Sequence, residues 1–337
     1  MQFGIGESTD NQAKLSHAHH EWRRGGRIIR WMKQNHIKAV MLYGYNDLGR
    51  LRIIRWCRAH HIPCFLFGDS NIRGDLATGI KSLLKKIVVT RVVKSCSGVM
   101  PCGTLGTEYF KKYGADPDRI FPSPYEPDYA LIRALPQSEI DAVRGKYGLN
   151  EGRRRIVFCA RMVPVKRPDL LIDAFIAIAK QRPDWDLVMI GDGPLRASMT
   201  ERVPPALRSR VIWTGFIDSQ TTVGAFYRAC DVLVLPSDYE PWALVINEAI
   251  AAGLAVISSD VVGAAADLVV EGVNGTIFPA GDGNALQRAL LDVTASERIE
   301  ALKAGSAQVL SEWRNRADPV DGLRRALEFS GVLASRT

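Results

Sequence analysis

The feature that most constrains this chain is an alternation of short apolar runs with longer amphipathic segments between residues 156 and 260. The apolar runs are nearly uninterrupted, which is typical of strands buried on both faces of a sheet. The predicted strands are 156–160, 187–190, 211–214, 232–235 and 255–258, and the predicted helices are 168–181, 195–202, 221–230 and 243–252. Strands that alternate with helices form a parallel sheet with helices on both faces. We therefore predict a doubly wound α/β domain that binds its ligand at the carboxyl ends of the strands.

The same alternation recurs, less regularly, in the N-terminal part of the chain. It predicts strands at 37–43, 62–67 and 98–100, helices at 47–60, 76–93 and 105–113, and a polar linker at 148–155. The remaining helices are predicted at 139–147, 284–293 and 298–328. The chain is thus expected to form two Rossmann-like domains with a cleft between them, the first of which is short of strands.

Composition excludes several classes of protein. A hydrophobic content of 47% and a charged content of 24% are those of a globular chain, and 337 residues suit two domains. No apolar run reaches the roughly 18–20 residues of a membrane span, and residues 1–14 lack the apolar core of a secretory signal. The six cysteines show no metal-ligand spacing. We predict a cytoplasmic protein with reduced core thiols, no bound metal and no cofactor.

The net positive charge is confined to the N-terminal part. Residues 1–130 contain 20 Lys and Arg against 11 Asp and Glu, whereas the remaining residues contain 24 against 25. Such a surface attracts anionic lipids or phosphorylated acceptors, and without a reader motif we expect no nucleic acid. Segment 22–33 mixes apolar residues with four arginines and Lys33, so it is a candidate membrane contact. The favoured alternative is a helix with a packed apolar side, although Gly25 and Gly26 interrupt the helical pattern.

The first of four candidate features for ligand binding follows the strand at 156–160. Arg161 and Lys166 stand on one loop there. Two fixed cations can neutralise a diphosphate without a metal and stabilise it as a leaving group. The alternative is a solvated loop with incidental charges.

The second and third features follow the next two strands. Gly191 and Gly193 belong to a GDGP turn, where the lack of a side chain lets the backbone approach a ligand. Gly215 and Phe216 follow the third strand, and an aromatic ring there can flank a nucleobase. The alternatives are a tight turn for the glycines and a packed loop residue for Phe216.

The fourth feature is a pair of glutamates, Glu240 and Glu248, around the start of the helix at 243–252. Eight steps of about 100° bring the second to about 80° past the first, so they face a similar direction. Carboxylates accept hydrogen bonds from vicinal hydroxyls, which suits a sugar and a ribose. An accidental solvated face is the alternative. Further candidate contacts around this helix start are Ser237, Pro241, Trp242 and Ala243.

In order and spacing, these features resemble the retaining GT-B glycosyltransferases of family 4 over residues 155–279. The matching pieces are Arg161 and Lys166, the GDGP turn, Gly215 and Phe216, the two glutamates with seven residues between them, and the segments 252–257 and 271–275. The resemblance implies a nucleoside-diphosphate sugar as donor and metal-independent transfer with retention of configuration. It assigns Arg161 and Lys166 to the diphosphate, Glu240 to the sugar and Glu248 to the ribose.

The resemblance also implies a domain division. Residues 1–147 would form the acceptor-side domain, 148–312 the donor domain, and 313–337 a helix that returns to the first domain. The first domain departs from the family, because no opening strand and glycine-rich loop precede residue 37, and no histidine ends the strand at 37–43. Asp69, after the strand at 62–67, is the acceptor-side candidate.

Two classes of function follow. The first is a hexosyltransferase of polysaccharide biosynthesis that acts on a glycan or lipid-linked acceptor, peripheral to the inner membrane face. The second is a non-catalytic nucleotide-sugar-binding protein, which the missing opening strand and histidine favour. A GT-B epimerase or phosphorylase is a third reading, and no residue pattern supports it.

Overall fold

The computed structural model describes residues 15–334, so the prediction about a secretory signal at residues 1–14 lies outside the described residues. The chain forms two compact units. The first comprises the chain up to Cys102, Gly106–Pro124 and the segment from Asp318 onward. The second comprises Gly103–Leu105 and Tyr125–Ala317. No helix in the described part is both long and apolar enough to span a bilayer.

The first unit is built on a three-stranded parallel sheet. Its strands are β1 (Val40–Tyr43), β2 (Cys64–Gly68) and β3 (Gly98–Pro101), in the order β1-β2-β3. The helices around it are α1 (Leu15–Gln34), α2 (Leu48–Ala59), α3 (Gly79–Ser95) and α4 (Thr104–Lys112). All three predicted strands are confirmed, and the elements start and end within three residues of their predicted bounds.

Helix α1 runs without a break through Gly25 and Gly26, so the prediction that this pair interrupts the helix was wrong. The reason is tertiary. A Cβ atom on Gly25 would lie 2.7 Å from the carbonyl oxygen of Gly49 in α2, so the glycine permits a close helix–helix contact. Ile29 and Met32 are buried in the core of the first unit. The apolar side of segment 22–33 is therefore packed at these positions, as in the alternative that we favoured.

The second unit is built on a six-stranded parallel sheet. Its strands are β4 (Arg154–Cys159), β5 (Trp185–Ile190), β6 (Val211–Gly215), β7 (Val232–Leu235), β8 (Ala255–Ser259) and β9 (Gly275–Phe278). The order is β6-β5-β4-β7-β8-β9, so the direction of winding reverses between β4 and β7. Ligands of such sheets bind at this reversal, beyond the carboxyl ends of the strands. The five predicted strands are confirmed, and β9 was not predicted.

The helices of the second unit are α5 (Tyr129–Arg133), α6 (Gln137–Tyr147), α7 (Pro168–Ile178), α8 (Arg196–Arg202), α9 (Gln220–Arg228), α10 (Leu244–Ala251), α11 (Ala265–Leu268), α12 (Gly283–Val293) and α13 (Ile299–Arg316); the last helix, α14 (Pro319–Phe329), belongs to the first unit. Residues 125–147, which the sequence analysis assigned to the first domain, belong to the second unit. The ring of Tyr147 in α6 packs 4.9 Å from that of Phe226 in α9. This contact explains why the observed division precedes residue 147.

The single helix predicted at 298–328 is two helices, α13 and α14. Asp318 caps α14 by accepting hydrogen bonds from the amides of the next turn, and Pro319 at the first helical position cannot continue a preceding helix. Helix α14 is part of the first unit, where the ring of Phe329 lies 5.6 Å from that of Phe121.

Candidate functional site

A pocket of about 650 Å³ opens in the second unit beyond the carboxyl ends of β4, β5 and β6. Its lining residues are Cys159, Ala160, Arg161, Ile190, Gly191, Asp192, Gly193, Phe216, Ile217, Val223 and Val245. This volume is typical of a small-molecule site, as is the mixture of apolar walls with a few polar groups. The structure thus brings together Arg161, Gly191, Gly193 and Phe216, four of the predicted site residues.

The two pocket glycines lie where the chain has no room for a side chain. Gly191 has φ of +124°, and a Cβ atom on it would lie 2.1 Å from the carbonyl oxygen of Ala160. A Cβ on Gly193 would lie 2.5 Å from the carbonyl oxygen of Met162. The carbonyl of Gly215 accepts a hydrogen bond of 2.9 Å from the Gly191 amide. The pocket floor is therefore backbone held against backbone, which glycine alone permits.

Phe216 stands at the pocket with 77% of its side chain exposed. A packed loop residue would be buried, so that alternative is wrong. An exposed aromatic face beside a pocket is available to stack against a planar ligand.

Arg161 is the cation of the β4–α7 loop that lines the pocket. Its side chain is exposed, and no carboxylate within the described part of the chain forms an ion pair with it. Arg167, on the same loop, is by contrast held by Asp169 and by Asp238, at 3.1 Å from each carboxylate. The structure therefore distinguishes Arg161 as the loop cation available to an anionic ligand.

Lys166 lies on the same loop but does not line the pocket. Its ammonium group donates a hydrogen bond to the carboxylate of Glu240, and both side chains are largely buried. The amide of Asp238 donates to the carbonyl of Val165 at 2.8 Å, so the loops after β4 and β7 are also joined through their backbones. Lys166, which is predicted to bind the diphosphate, thus forms an ion pair with Glu240, which is predicted to bind the sugar. The pair lies where the winding of the sheet reverses.

The turn into α10 contains a strained residue. Ala243, the N-terminal cap of this helix, has φ of +85° and ψ of +78°. A residue with a side chain in the left-handed region costs roughly 1–2 kcal/mol, and such strain persists where the surroundings enforce it. The preceding Pro241 is enclosed as well, because a Cβ on Gly263 would lie 2.0 Å from its carbonyl oxygen. The strain coincides with the predicted contact of the helix start with the donor.

Two other predicted contacts are buried away from the pocket. Trp242 is 3% exposed, and its ring lies 5.5 Å from that of Trp313. Ser237 is fully buried, and its carbonyl accepts a hydrogen bond of 2.6 Å from the Ser259 hydroxyl. The structure therefore places both side chains in the interior of the second unit.

Glu248 lies in α10, behind the wall of the pocket. The hydroxyl of the buried Tyr227 donates a hydrogen bond of 3.3 Å to its carboxylate. Tyr227 also contacts the thiol of Cys159, which lines the pocket. Burial raises the pKa of Cys159 to about 11, so this thiol stays protonated at neutral pH. Burial likewise raises the pKa of Glu248, and the hydrogen bond from Tyr227 acts in the opposite direction.

Glu248→Gln is expected to stabilise the second unit at neutral pH. Because the pKa of Glu248 is raised, the folded chain holds this proton more tightly than the unfolded chain does. The stability that this linkage contributes is full below the ordinary pKa of 4.5 and is lost as pH rises through the folded-state value. Glutamine retains an acceptor for Tyr227 without a charge to bury.

The measurement is chemical denaturation of both proteins between pH 4 and pH 8. The advantage of the variant should be small at pH 4 and should grow with pH. Glu297→Gln, an exposed position of the second unit, serves as the control and should show no such trend. A difference that does not depend on pH would contradict the prediction.

Asp69 follows β2 in the first unit and lines a small pocket of about 70 Å³. The hydroxyl of Tyr43, at the end of β1, donates hydrogen bonds to both carboxylate oxygens of Asp69, at 3.2 and 3.4 Å. Burial raises the pKa of Asp69, and hydrogen bonds oppose this effect. Tyr43 was not predicted as a site residue, although its position at a strand end was a signal for it.

Sequence and structure comparisons place the chain among known proteins. The family model described as "Glycosyl transferases group 1" matches residues 139–312. The D-inositol 3-phosphate glycosyltransferase of Segniliparus rotundus is 28% identical over 233 residues, which are 66% of this chain and 50% of that protein. The lipopolysaccharide core biosynthesis mannosyltransferase LpsB of Rhizobium meliloti is 32% identical over 44% of this chain and 42% of its own length. The chain therefore spans about half the length of these curated relatives.

Solved structures resemble the fold of this chain over more than nine-tenths of its length. HepE of Anabaena, in complex with UDP, superposes with a TM-score of 0.71 at 19% identity and covers 92% of this chain and 82% of its own. A glycosyltransferase of Rickettsia africae has a TM-score of 0.74 at 15% identity, with coverage of 98% and 85%. At these identities the likeness concerns the fold alone.

Proposed function

This chain belongs to the group 1 glycosyl transferases, and on that premise we propose that it transfers a hexose from a nucleoside-diphosphate sugar to a glycan or lipid-linked acceptor. Its two parallel-sheet α/β units have the GT-B type of fold that the sequence resemblance implied. The observation that carries the proposal is the pocket of the second unit. It combines an available cation, a glycine floor and an exposed aromatic ring at the switch point of the sheet.

Each part of this pocket suits one part of a nucleoside diphosphate. The base would stack on Phe216, and the diphosphate would meet Arg161 and the glycine turn. The ribose would lie at the Cys159 wall, next to Glu248, which the buried Tyr227 holds behind it. HepE has been solved with UDP and with UDP-glucose, which supports this class of ligand for the proposed site.

The proposed transfer requires no protein nucleophile. The bond between the anomeric carbon and the diphosphate oxygen breaks, and the acceptor oxygen forms its bond on the same face of the sugar. The acceptor proton passes to the departing phosphate oxygen, and configuration is retained. Arg161 and Lys166 would stabilise the negative charge that accumulates on the diphosphate, in place of a metal. Glu240 would accept hydrogen bonds from the sugar hydroxyls once the donor takes over the ammonium of Lys166.

On the acceptor side we propose Asp69 and Tyr43 as contacts for a hydroxyl-bearing acceptor. A role in polysaccharide biosynthesis is supported by relatives such as the lipopolysaccharide core mannosyltransferase. The excess of cations in residues 1–130 supports association with the inner face of a membrane.

The test is calorimetric titration of the protein with UDP, GDP, ADP and CDP in the presence of a chelator. We expect one nucleoside diphosphate to bind at least tenfold more tightly than the others, without added metal. Nuclear magnetic resonance of the product formed from the matching sugar donor should then show the anomeric configuration of the donor. If none of the four nucleotides binds to the folded protein, the proposed donor site is refuted.

The same titration separates the two functions that the sequence left open. Nucleotide binding without transfer or donor hydrolysis, across a broad panel of acceptors, would favour the non-catalytic binding protein. Formation of any product with retained configuration would exclude it.

A further inference from the structure

The N-terminal half of α3 exposes a continuous apolar surface. We call it the α3 apolar face; its members, each between 41% and 81% exposed, are Leu76, Ile80, Leu83, Leu84, Ile87 and Val88. Exposed single aliphatic residues are ordinary, but a contiguous group of this size on a folded domain marks a surface that binds something.

The position of this face on the helix shows that it is not part of the core. At about 100° per residue, the five helical members occupy an arc of about 140°. Val89, Val92 and Val93, which belong to the core of the first unit, lie on the opposite side of α3. The C-terminal half of α3 therefore anchors the helix, and its N-terminal half presents aliphatic side chains to the outside.

The charged residues of α3 are all positive. On the same projection, Lys81 and Lys86 border the arc on its two sides, and Arg91 and Lys94 continue it toward the end of the helix. No acidic residue occurs in α3. The nearest acid in the preceding loop, Asp75, is held by Lys85 and Lys112 at 2.7 and 2.6 Å. Nothing in the helix itself offsets these cations.

An aliphatic arc bordered by lysines fits an anionic lipid surface better than a protein partner. Protein interfaces are depleted in lysine, and a second copy of this chain would bring like charges together. Interfacial helices, in contrast, bury an apolar side among acyl chains while their lysines reach anionic headgroups. We infer that the chain docks on an anionic membrane through the α3 apolar face. Segment 22–33 offers less apolar surface, because it exposes Trp22 and Trp31 but packs Ile29 and Met32 in the core.

This docking surface adjoins the proposed acceptor side. Leu84 and Val88 line a second pocket, of about 460 Å³, together with Tyr45 and Ser70. Tyr45 and Ser70 also line the small pocket that contains Asp69. A membrane in contact with α3 would therefore present a lipid-linked acceptor next to Asp69. This last step rests on the proposed function, whereas the membrane contact itself does not.

The experiment is flotation of the whole protein with vesicles of phosphatidylcholine alone or mixed with phosphatidylglycerol, without any sugar donor. We expect binding to the mixed vesicles that weakens at 0.5 M salt. Ile80→Ser/Leu83→Ser/Ile87→Ser should lower the partition coefficient at least tenfold. Lys81→Gln/Lys86→Gln should lower it about 25-fold, since each surface lysine contributes about fivefold. Val320→Ser/Leu323→Ser, on the exposed side of α14, is the matched control and should bind as the original protein does.

A dye attached at Leu83→Cys reports insertion directly. Its emission should shift to the blue with phosphatidylglycerol vesicles, whereas the same dye at Val320→Cys should not respond. Vesicle binding that survives the triple serine change would overturn the inference. So would concentration-dependent dimerisation, without vesicle binding, that the triple change abolishes, because the face would then belong to a second copy. Nucleotide titration of each variant keeps the two proposals separate, since donor binding does not involve α3.

Discussion

Replacement of Lys166 by alanine is expected to weaken nucleoside diphosphate binding at least a hundredfold, and replacement of Arg161 ten- to a hundredfold. A hydrogen bond to a charged group contributes about 1.5–3 kcal/mol, and about 1.4 kcal/mol corresponds to a factor of ten in affinity. Arg161 has no carboxylate partner among the described residues, so its loss removes the ligand contact and little else.

Lys166 is expected to have the larger effect because of its partner. In the free protein its ammonium is bound to Glu240, and that carboxylate is largely buried. Without the lysine, the Glu240 carboxylate loses this cationic partner, and its negative charge stays close to the loop that should receive the diphosphate. The variant then loses an attraction and gains a repulsion.

The measurement is calorimetric titration of each single variant, the double variant and Lys166→Ala/Glu240→Gln. The last should recover part of the affinity that Lys166→Ala loses, because it removes the negative charge that repels the diphosphate. Arg167→Gln is the matched control, since this cation of the same loop is held by Asp169 and Asp238; its affinity should change less than threefold. If Lys166→Ala binds as tightly as the original protein, Lys166 has no part in the donor site.

Gly191→Ala is expected to lower the free energy of unfolding of the second unit by more than about 3 kcal/mol. Two penalties add. The backbone at Gly191, with φ of +124°, costs a residue with a side chain roughly 1–3 kcal/mol. The new Cβ atom would also lie 2.1 Å from the carbonyl oxygen of Ala160, a contact that forces the end of β4 to move.

Gly253→Ala separates these two penalties. Gly253 has φ of +84°, and no atom lies within 4 Å of the position that a Cβ would take, so its substitution costs backbone strain alone, about 1–2 kcal/mol. Both variants are compared by chemical denaturation. Equal losses for the two would mean that the strand end at Ala160 yields without cost, and the rigid pocket floor described above would be disproved.

Five of the six strands of the second sheet could be predicted from the sequence, because they are nearly unbroken apolar runs. The sequence did not reveal β9, whose first two residues, Gly275 and Thr276, interrupt that pattern. The break between α13 and α14 was available in the sequence as Asp318 followed by Pro319, a cap and a helix-starting proline. The continuity of α1 could not be predicted from the sequence, because the reason for a glycine at position 25 is a close contact with Gly49, which is distant in the sequence.

Some residues of the candidate site could likewise be predicted from the sequence, and others could not. Strand ends of a parallel sheet meet at one edge, so the sequence alone could place Arg161, Gly191 and Phe216 near one another. The apolar walls, Val223 and Val245, could not be found because their contribution depends on the direction of side chains. The burial of Trp242 depends on Trp313, a contact between residues far apart in the sequence.

The discontinuity of the first unit has a consequence for synthesis of the chain. Helix α14 lies so close to the segment before α5 that a Cβ on Gly322 would be 1.9 Å from the carbonyl oxygen of Pro122. At roughly 5–20 residues per second, a ribosome needs on the order of 10–40 s to make the stretch between Pro124 and Asp318. Throughout that interval the surface that receives α14 has no cover, while residues 125–317 of the second unit emerge in succession. The unit begun first is therefore completed only after the second, and the nascent chain exposes the side of Phe121 that α14 covers until α14 has been made.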